Sequence, residues 1–240
     1  MTEKIPILVI IFLVIIVIFH RQNVERNFFS PEYDNDAIKL GYGTGFYINE
    51  NHIITNNHVI DGCKNIITQN GLLINKLTVV ASDELNDLAV LKTNKSVNYY
   101  ANIANYNLAK NDKVHILGYP GGNYKYKIVD IINADAQVPV SPPQFSKKFE
   151  QRKIIFTDSV RPGNSGGPVI DQQGNLVGVV DAYTKMTFRN LEENKIENVT
   201  FGSAIHWQRL VEFLNENQIS SSINDPNANQ ATSNLEENIK

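Results

Sequence analysis

The sequence predicts an all-β domain that ends in a helix. Most of the chain alternates between short runs rich in isoleucine and valine and turn signals such as Asn-Gly, Gly-Gly and Gly-Asn. β-branched residues favour strands, and these dipeptides favour turns. Runs at such regular spacing are typical of a β-barrel or a β-sandwich, because a parallel sheet would need a helix between consecutive strands.

Ten segments fit the strand pattern. They are residues 44–48, 52–55, 65–68, 77–81, 88–92, 113–117, 127–132, 153–158, 169–171 and 176–181. The helix is predicted at 207–217, where Trp207, Leu210, Val211 and Leu214 recur at the spacing that places apolar side chains on one helical face. The chain after this helix is polar and acidic, so we predict a disordered tail over residues 219–240.

The N-terminal segment is apolar and uncharged over residues 5–19. About 15 helical residues span roughly 22 Å, and the flanking Lys4 and Arg21 can extend towards the interfaces of a hydrocarbon core about 30 Å thick. We therefore predict an uncleaved membrane anchor, a transmembrane helix, over residues 1–21. A cleaved signal peptide is the alternative, although no small residues follow the run to mark a cleavage site.

The rest of the chain is predicted to form one folded domain over residues 38–218, joined to the anchor by a linker arm over residues 22–37. Hydrophobic residues make up 42% of the 240 residues, which is enough for a sizeable core. The net charge is -3, so no basic surface for nucleic acid is predicted. Cys63 is the only cysteine, which excludes an intrachain disulfide. We predict no metal and no cofactor.

One loop has the composition of a nucleophile loop. Ser165 lies in the segment Pro-Gly-Asn-Ser-Gly-Gly-Pro, with glycine at 163 and 166. A serine hydroxyl needs a base to take its proton, and the oxyanion that forms on an attacked carbonyl needs fixed donors. Glycine lets a loop turn sharply enough to present backbone N–H groups as those donors. Taken alone, the same loop is equally compatible with an ordinary hairpin turn.

A base and an acid stand earlier in the chain. His58 follows an apolar run, which places it at the end of a strand, and the other four histidines lack this context. Asp87 directly precedes the apolar segment 88–91, where a buried carboxylate needs a partner such as an imidazole N–H. The rival acids Asp83 and Glu84 lie in a polar turn and are expected to be solvated.

In this order, His58, Asp87 and Ser165 resemble the triad of the trypsin-like (chymotrypsin-fold) serine peptidases, and most closely that of the HtrA/Deg branch. The resemblance covers residues 38–215. The matching segments are 43–46, 55–59, 86–91, 117–121, 162–168 and 174–178.

This resemblance implies two six-stranded antiparallel β-barrels followed by a helix, with the triad in the cleft between them. It implies that His58 deprotonates Ser165 while Asp87 orients the imidazole. The implied oxyanion hole comprises Gly163, Asn164 and Ser165. The implied substrate pocket comprises Ser159, Val180, Asp181, Ala182 and Ser203. Because Ser159 carries no charge, we expect a small or medium apolar residue at the P1 position of the substrate.

The function expected from this resemblance is a serine endopeptidase that cuts unfolded or exported polypeptides outside the cytoplasm. A homotrimer assembled through Phe28, Phe29 and Tyr33 is one expectation for the linker arm, and anchoring at the membrane interface is the other. The chain after the helix is too short for the PDZ domain that HtrA proteins usually carry.

An alternative is a catalytically weak, chaperone-like binding module, because the segment before Ser165 is one residue shorter than the family pattern. An α/β-hydrolase does not fit, since its histidine follows its serine in the chain.

Overall fold

The computed structural model describes residues 14–22, 37–70, 73–140, 149–157, 160–190 and 195–224. They form two β-structured halves that meet across a cleft. The first half is a closed six-stranded antiparallel barrel with the order β1-β2-β3-β6-β5-β4. Its elements are β1 (Val14–Gln22), β2 (Ala37–Tyr47), β3 (His52–Thr55), the helical turn α1 (Asn57–Ile60), β4 (Asn65–Asn70), β5 (Leu73–Asp83) and β6 (Leu88–Lys92).

The second half is an eight-stranded sheet with the order β11-β8-β9-β10-β13-β12-β7-β14. β11 also pairs with β12, so the sheet curls round until its first strand meets its sixth. The elements are β7 (Asn102–Ala104), β8 (Lys113–Gly118), β9 (Lys125–Val140), β10 (Phe149–Phe156), β11 (Pro168–Ile170), β12 (Leu176–Asn190), β13 (Lys195–His206), helix α2 (Trp207–Glu216) and β14 (Ser222–Asn224).

The described residues form three apolar clusters, and one of them joins the two halves. One fills the first barrel around Ile53 and Leu91, and another fills the second sheet around Phe156 and Val177. The third takes side chains from both halves and from α2, including Phe46 of β2, Leu117 of β8 and Leu210 of α2. Because this last cluster is shared, it fixes the two walls of the cleft relative to one another.

The all-β class and the two-part architecture are confirmed, but the second half differs from the prediction. We expected a second six-stranded barrel, and the structure has an eight-stranded sheet to which β7 and β14 add parallel pairings beside β12. The helix expected over residues 207–217 is present as α2. β14 lies in the segment predicted as a disordered tail, where Ser222, Ile223 and Asn224 pair with β7.

Only the last part of the predicted N-terminal helix lies in the described part of the chain, and that part is a strand. Residues 1–13 lie outside the described part of the chain, and Val14–Gln22 is a strand that pairs with β2 on one side and β4 on the other. β-branched residues dominate this strand, and such residues favour extended backbone. Among the described residues, no helix has the length and apolar character needed to cross a membrane.

Candidate active site

A cavity of about 460 Å³ lies between the two halves. The first half contributes residues of β2, α1 and the turn after α1, and the second contributes the loop before β11 and the middle of β12. The lining residues are Gly41, Tyr42, His58, Val59, Asp61, Cys63, Val160, Arg161, Pro162, Gly163, Ser165, Asp181, Ala182 and Tyr183. The cavity therefore brings the predicted base and the predicted nucleophile together from opposite halves.

His58 and Asp87 are joined by two hydrogen bonds. The Nδ1 atom of His58 lies 2.6 Å from Oδ2 of Asp87, and the backbone N–H of His58 donates to Oδ1 at 2.8 Å. Asp87 is mostly buried, whereas 51% of the His58 side-chain surface is accessible. Since the carboxylate holds Nδ1, the other ring nitrogen, Nε2, is left to face a reacting group.

The backbone of Asp87 is strained. Its φ of 55° lies in the left-handed region, which residues other than glycine rarely adopt. The side-chain amide of the fully buried Asn56 donates to the Asp87 carbonyl at 3.0 Å and helps to hold this conformation. Such strain persists only where the surroundings over-determine the backbone, and it is concentrated at functional sites.

Ser165 lies at the start of a tight turn that ends at β11. Its Oγ donates a hydrogen bond of 3.2 Å to the backbone carbonyl of Asp181. Among the described residues, no hydrogen bond joins Ser165 to His58. Hydrogen bonds between catalytic groups are often long or absent before substrate binds. Direct contact between Oγ and the imidazole would require a rotation of the serine side chain.

The loop before Ser165 is a turn built around Gly163. The N–H of Asn164 donates to the Arg161 carbonyl at 2.9 Å, and Gly163 has a φ of +99°, as the third residue of a type II turn requires. The buried Thr44 hydroxyl donates to the Gly163 carbonyl at 2.6 Å and pins the turn from the other half. A side chain at Gly163 would lie 2.4 Å from the Tyr119 carbonyl, so glycine is required there.

This turn leaves two backbone donors unpaired. Among the described residues, the N–H groups of Gly163 and Ser165 have no acceptor, whereas that of Asn164 is used within the turn. Of the three predicted oxyanion-hole residues, Gly163 and Ser165 thus have donors available for a ligand.

The predicted substrate pocket is only partly assembled at the cavity. Asp181 and Ala182 line it, and Ser159 lies outside the described residues. Val180 was predicted to line the pocket, but its fully buried side chain belongs to the core of the second half, because successive residues of a strand face opposite sides. Ser203 is not among the residues that line this cavity, and its hydroxyl donates to the carbonyl of the lining residue Ala182 at 3.0 Å.

The structure adds Lys153, which sequence reasoning missed. It is buried on β10, and its Nζ atom donates to Oδ2 of Asp181. The sequence did contain one indication of this lysine, because the Asp181 carboxylate lies within the apolar strand β12 and a buried carboxylate needs a cation beside it. Thr44 and Asn56 were missed as well, because each acts through a hydrogen bond to a residue distant in sequence.

Opposing influences act on the pKa of His58. Partial burial lowers it, but the hydrogen bond and the negative charge of Asp87 outweigh burial and hold the pKa above its usual value. The charge of Asp181 acts in the same direction as Asp87, and the charge of Lys153 acts against it. One polar atom from each of His58, Asp87 and Asp181 lies within 4.8 Å of the others. With Asp87 paired to His58 and Asp181 paired to Lys153, we assign none of the three as a metal ligand.

Comparison with known proteins gives a consistent result. Residues 43–179 match the family model described as the trypsin-like peptidase domain. The chain is 35% identical over 160 residues to the uncharacterized protein y4bJ of Sinorhizobium fredii, and 30% identical over 165 residues to a serine protease HtrA-like protein of Staphylococcus aureus. These alignments cover 63% and 65% of this chain but 23% and 20% of the relatives. The chain thus spans about a fifth of the length of these two relatives.

Solved structures share the fold. The active form of the Rv3671c protease from M. tuberculosis superposes with a TM-score of 0.65 at 22% identity, covering 92% of this chain and 90% of that one. An HtrA-type protease, AlgW, solved with a tripeptide, superposes with a TM-score of 0.58 at 21% identity, covering 84% of this chain and 58% of that one.

Proposed function

Because the chain belongs to the trypsin-like peptidase domain family, we propose that it is an HtrA-type serine endopeptidase that hydrolyses peptide bonds through Ser165, His58 and Asp87. The observation that carries this proposal is the shared cavity, in which a histidine bonded to a carboxylate faces a serine from the opposite half. This is the arrangement that nucleophilic acyl transfer needs.

The proposed reaction begins when Ser165 rotates away from the Asp181 carbonyl towards Nε2 of His58. His58 takes the hydroxyl proton while Oγ attacks the peptide carbonyl, and the tetrahedral oxyanion is stabilised by the N–H groups of Gly163 and Ser165. The imidazolium then gives its proton to the leaving amine. Water, deprotonated by His58, hydrolyses the acyl-enzyme and restores the serine.

We propose a small or medium apolar residue at P1. Near Ser165 the cavity is bordered by the buried Val160 and by Ala182. Asp181 is the acid nearest to this wall, and its charge is compensated by the buried Lys153. Among the described residues, this wall therefore presents no unpaired carboxylate that would select lysine or arginine, and the other acid of the cavity, Asp61, lies after α1 in the opposite half. Cleavage of a peptide library should occur after apolar residues, and dominant cutting after basic residues would exclude this specificity.

One observation favours a second candidate, a weakly active binding module that holds unfolded chains. The Ser165 hydroxyl is bonded to a backbone carbonyl rather than to His58. In this candidate, the serine stays in that position even when a polypeptide binds, so the chain binds without cutting.

A fluorophosphonate probe distinguishes the two candidates, because it reacts only with an activated serine. The peptidase proposal expects labelling of the wild type and none of Ser165→Ala, and it expects an unfolded polypeptide to be cut by the wild type alone. Ser222→Ala is the matched control, since Ser222 lies on β14 and does not line the cavity. Absence of labelling with and without unfolded polypeptide, together with binding of that polypeptide, would favour the binding module.

The location of the protein is a separate proposal. From the apolar run at 5–19 alone, we propose attachment to a membrane with the peptidase domain outside the cytoplasm, acting on unfolded or exported polypeptides. The same residues 14–19 are used by β1 in the barrel, so the two uses exclude one another. Extraction of membranes with alkaline carbonate tests the proposal, since an anchored chain stays with the lipid.

The trimer proposal rests on residues 28, 29 and 33, which lie outside the described residues, and analytical ultracentrifugation tests it.

A further inference from the structure

A buried ion pair lies at the wall of the cavity, which Asp181 lines. Lys153 of β10 and Asp181 of β12 expose 6% and 14% of their side-chain surfaces, and Nζ donates to Oδ2. Taking two charges out of water is costly, and a buried pair of this kind typically contributes no more to stability than apolar residues of the same volume. Stability alone therefore gives no account of a lysine and an aspartate at these positions.

The position of the pair beside the proposed triad offers another explanation for these two residues. Asp181 contacts all three residues of the proposed triad or lies next to them. Its backbone carbonyl accepts the Ser165 hydroxyl at 3.2 Å, and one of its carboxyl oxygens lies within 4.8 Å of a carboxyl oxygen of Asp87. A carboxyl oxygen also lies within 4.8 Å of a ring nitrogen of His58.

Two carboxylates this close repel one another, and a cation beside them offsets the repulsion. Burial raises the pKa of Asp181, the charge of Lys153 lowers it, and the neighbouring Asp87 raises it again. The net effect raises the pKa of Asp181, and the direct contact with the Lys153 ammonium is the influence that favours its ionised form. Lys153 thus compensates a second negative charge behind Asp87.

We propose that Lys153 and Asp181 form a positioning pair, which holds the Asp87 carboxylate against His58 and sets the electrostatic field at the imidazole. Neither residue reacts with substrate in this role. The kinetic part of the inference rests on the proposed peptidase function, whereas its electrostatic part does not.

The direction in which each residue shifts the pKa of His58 follows from its charge. Asp87 and Asp181 favour the charged imidazolium, and Lys153 disfavours it. Asp61, just after α1, and Arg161, on the opposite wall, are the other charged residues that line the cavity, and both are unchanged in the variants below. Removing the charge of Asp181 should therefore lower the pKa of His58, and removing that of Lys153 should raise it.

The two substitutions should shift the pKa of His58 in opposite directions, which a pair with a purely structural role would not do. The test is an NMR titration of the His58 Cε1–H signal in the full chain carrying Ser165→Ala, which prevents self-cleavage. We expect Asp181→Asn to move the His58 titration to lower pH and Lys153→Met to move it to higher pH. The double variant should fall between them.

The matched controls are Lys113→Met and Asp130→Asn, which remove an exposed pair of the same residue types in which Nζ and Oδ1 are 2.7 Å apart. Neither should move the His58 titration. If Lys153→Met does not fold, Asp181→Asn and the double variant decide the matter, since the double variant leaves no buried charge unpaired. A His58 titration in Asp181→Asn that coincides with the parent would overturn the inference.

The kinetic arm uses the same substitutions with Ser165 restored. We expect kcat of Asp181→Asn to fall about 10-fold to 100-fold with KM nearly unchanged, because a shifted imidazole loses its alignment. The acidic limb of the pH profile of kcat/KM should shift in the same direction as the NMR titration of His58. A change in KM alone would identify Asp181 as a substrate contact and contradict the proposal. If the wild type neither turns over nor reacts with the probe, the peptidase function fails, and the NMR arm still decides the electrostatic inference.

Discussion

Gly163 shows how much the proposed chemistry depends on one residue without a side chain. Its φ of +99° and its contact with the Tyr119 carbonyl leave no room for a Cβ atom. The Thr44 hydroxyl holds its carbonyl, and its N–H has no acceptor among the described residues. The turn therefore fixes the direction of one proposed oxyanion donor.

Gly163→Ala should abolish most of the peptidase activity while leaving the protein folded. A Cβ atom placed 2.4 Å from the Tyr119 carbonyl must displace the turn, and loss of one oxyanion donor typically costs about 100-fold to 1,000-fold in kcat. Cleavage kinetics and probe labelling measure the loss. Gly174→Ala is the control, because Gly174 also has a positive φ, at +91°, but a Cβ atom there meets nothing within 4 Å. Equal losses in both variants would contradict the role given to Gly163.

The pH profile of the reaction provides a second prediction at this scale. His58 must be neutral to accept a proton, and its pKa is raised above the usual 6.5 because Asp87 outweighs the opposing effect of burial. Activity should therefore fall as the pH drops through a value above 6.5. In Asp87→Asn the residual activity should extend to lower pH, since the charge that raises the pKa is gone. An acidic limb that is unchanged in Asp87→Asn would show that another group controls it.

Three residues of the candidate site could be found from the sequence, and three could not. His58, Asp87 and Ser165 stand at the end of a strand, at the start of an apolar strand and in a glycine-rich loop, and it is the order of these three segments that resembles a known family. Thr44, Asn56 and Lys153 act on residues 119, 31 and 28 positions away. No local pattern encodes such contacts, because the fold creates them.

At the scale of elements, alternating apolar runs located ten of the strands, since each run is bounded by turn residues. β13 was missed because its first half, Lys-Ile-Glu-Asn-Val-Thr, is polar, although it pairs with β12. β7 and β14 have three residues each, too few to show a period. Pairing with a neighbouring strand determines these elements more than their own composition does.

The N-terminal cap of helix α2 depends on pH. His206 is its N-cap residue, and Nδ1 accepts a hydrogen bond from the N–H of Gln208 at 3.2 Å. The residue is buried, with 1% of its surface accessible. Burial, reinforced by the charge of Arg152, lowers the pKa of His206 to about 4. A protonated Nδ1 could not accept the capping hydrogen bond, so the neutral form belongs to the folded state.

Stability should accordingly fall as the medium is acidified. Below its usual pKa of 6.5, His206 takes up a proton in the unfolded chain but not in the folded one, until the pH reaches about 4. The stabilisation is thus complete above pH 6.5, and about 3 kcal/mol is lost between pH 6.5 and 4. His206→Asn retains a capping acceptor and should lose less stability over this range. Urea denaturation at several pH values measures the difference, and identical slopes for both proteins would contradict the prediction.

At the scale of the whole molecule, the site exists only because the two halves are locked together. Besides their shared apolar cluster, polar contacts join the loop before Asp87 to the second half. The Gln151 side chain of β10 donates to the Leu85 carbonyl, and the Arg209 guanidinium of α2 lies 3.0 Å from Asp83. These contacts fix the carboxylate of the first half relative to the serine of the second.

β1 closes the barrel of the first half, so the N-terminal segment should affect the stability of the whole fold. Val14–Gln22 pairs with both β2 and β4, and its removal would expose one edge of each. We expect a chain that begins at residue 23 to lose at least ~3 kcal/mol of unfolding free energy, because several backbone hydrogen bonds disappear. For a domain of this size, that loss lowers Tm by roughly 6–12 °C.

A chain that begins at residue 14 is the matched control, since it keeps β1 and removes only residues outside the described part. Calorimetry should give it the Tm of the full chain. If the chains that begin at 14 and 23 melt together, β1 does not contribute to the barrel, and residues 14–19 are free to serve the membrane attachment proposed for the apolar run. If only the shorter chain is destabilised, the barrel uses those residues, and any anchor must lie before residue 14.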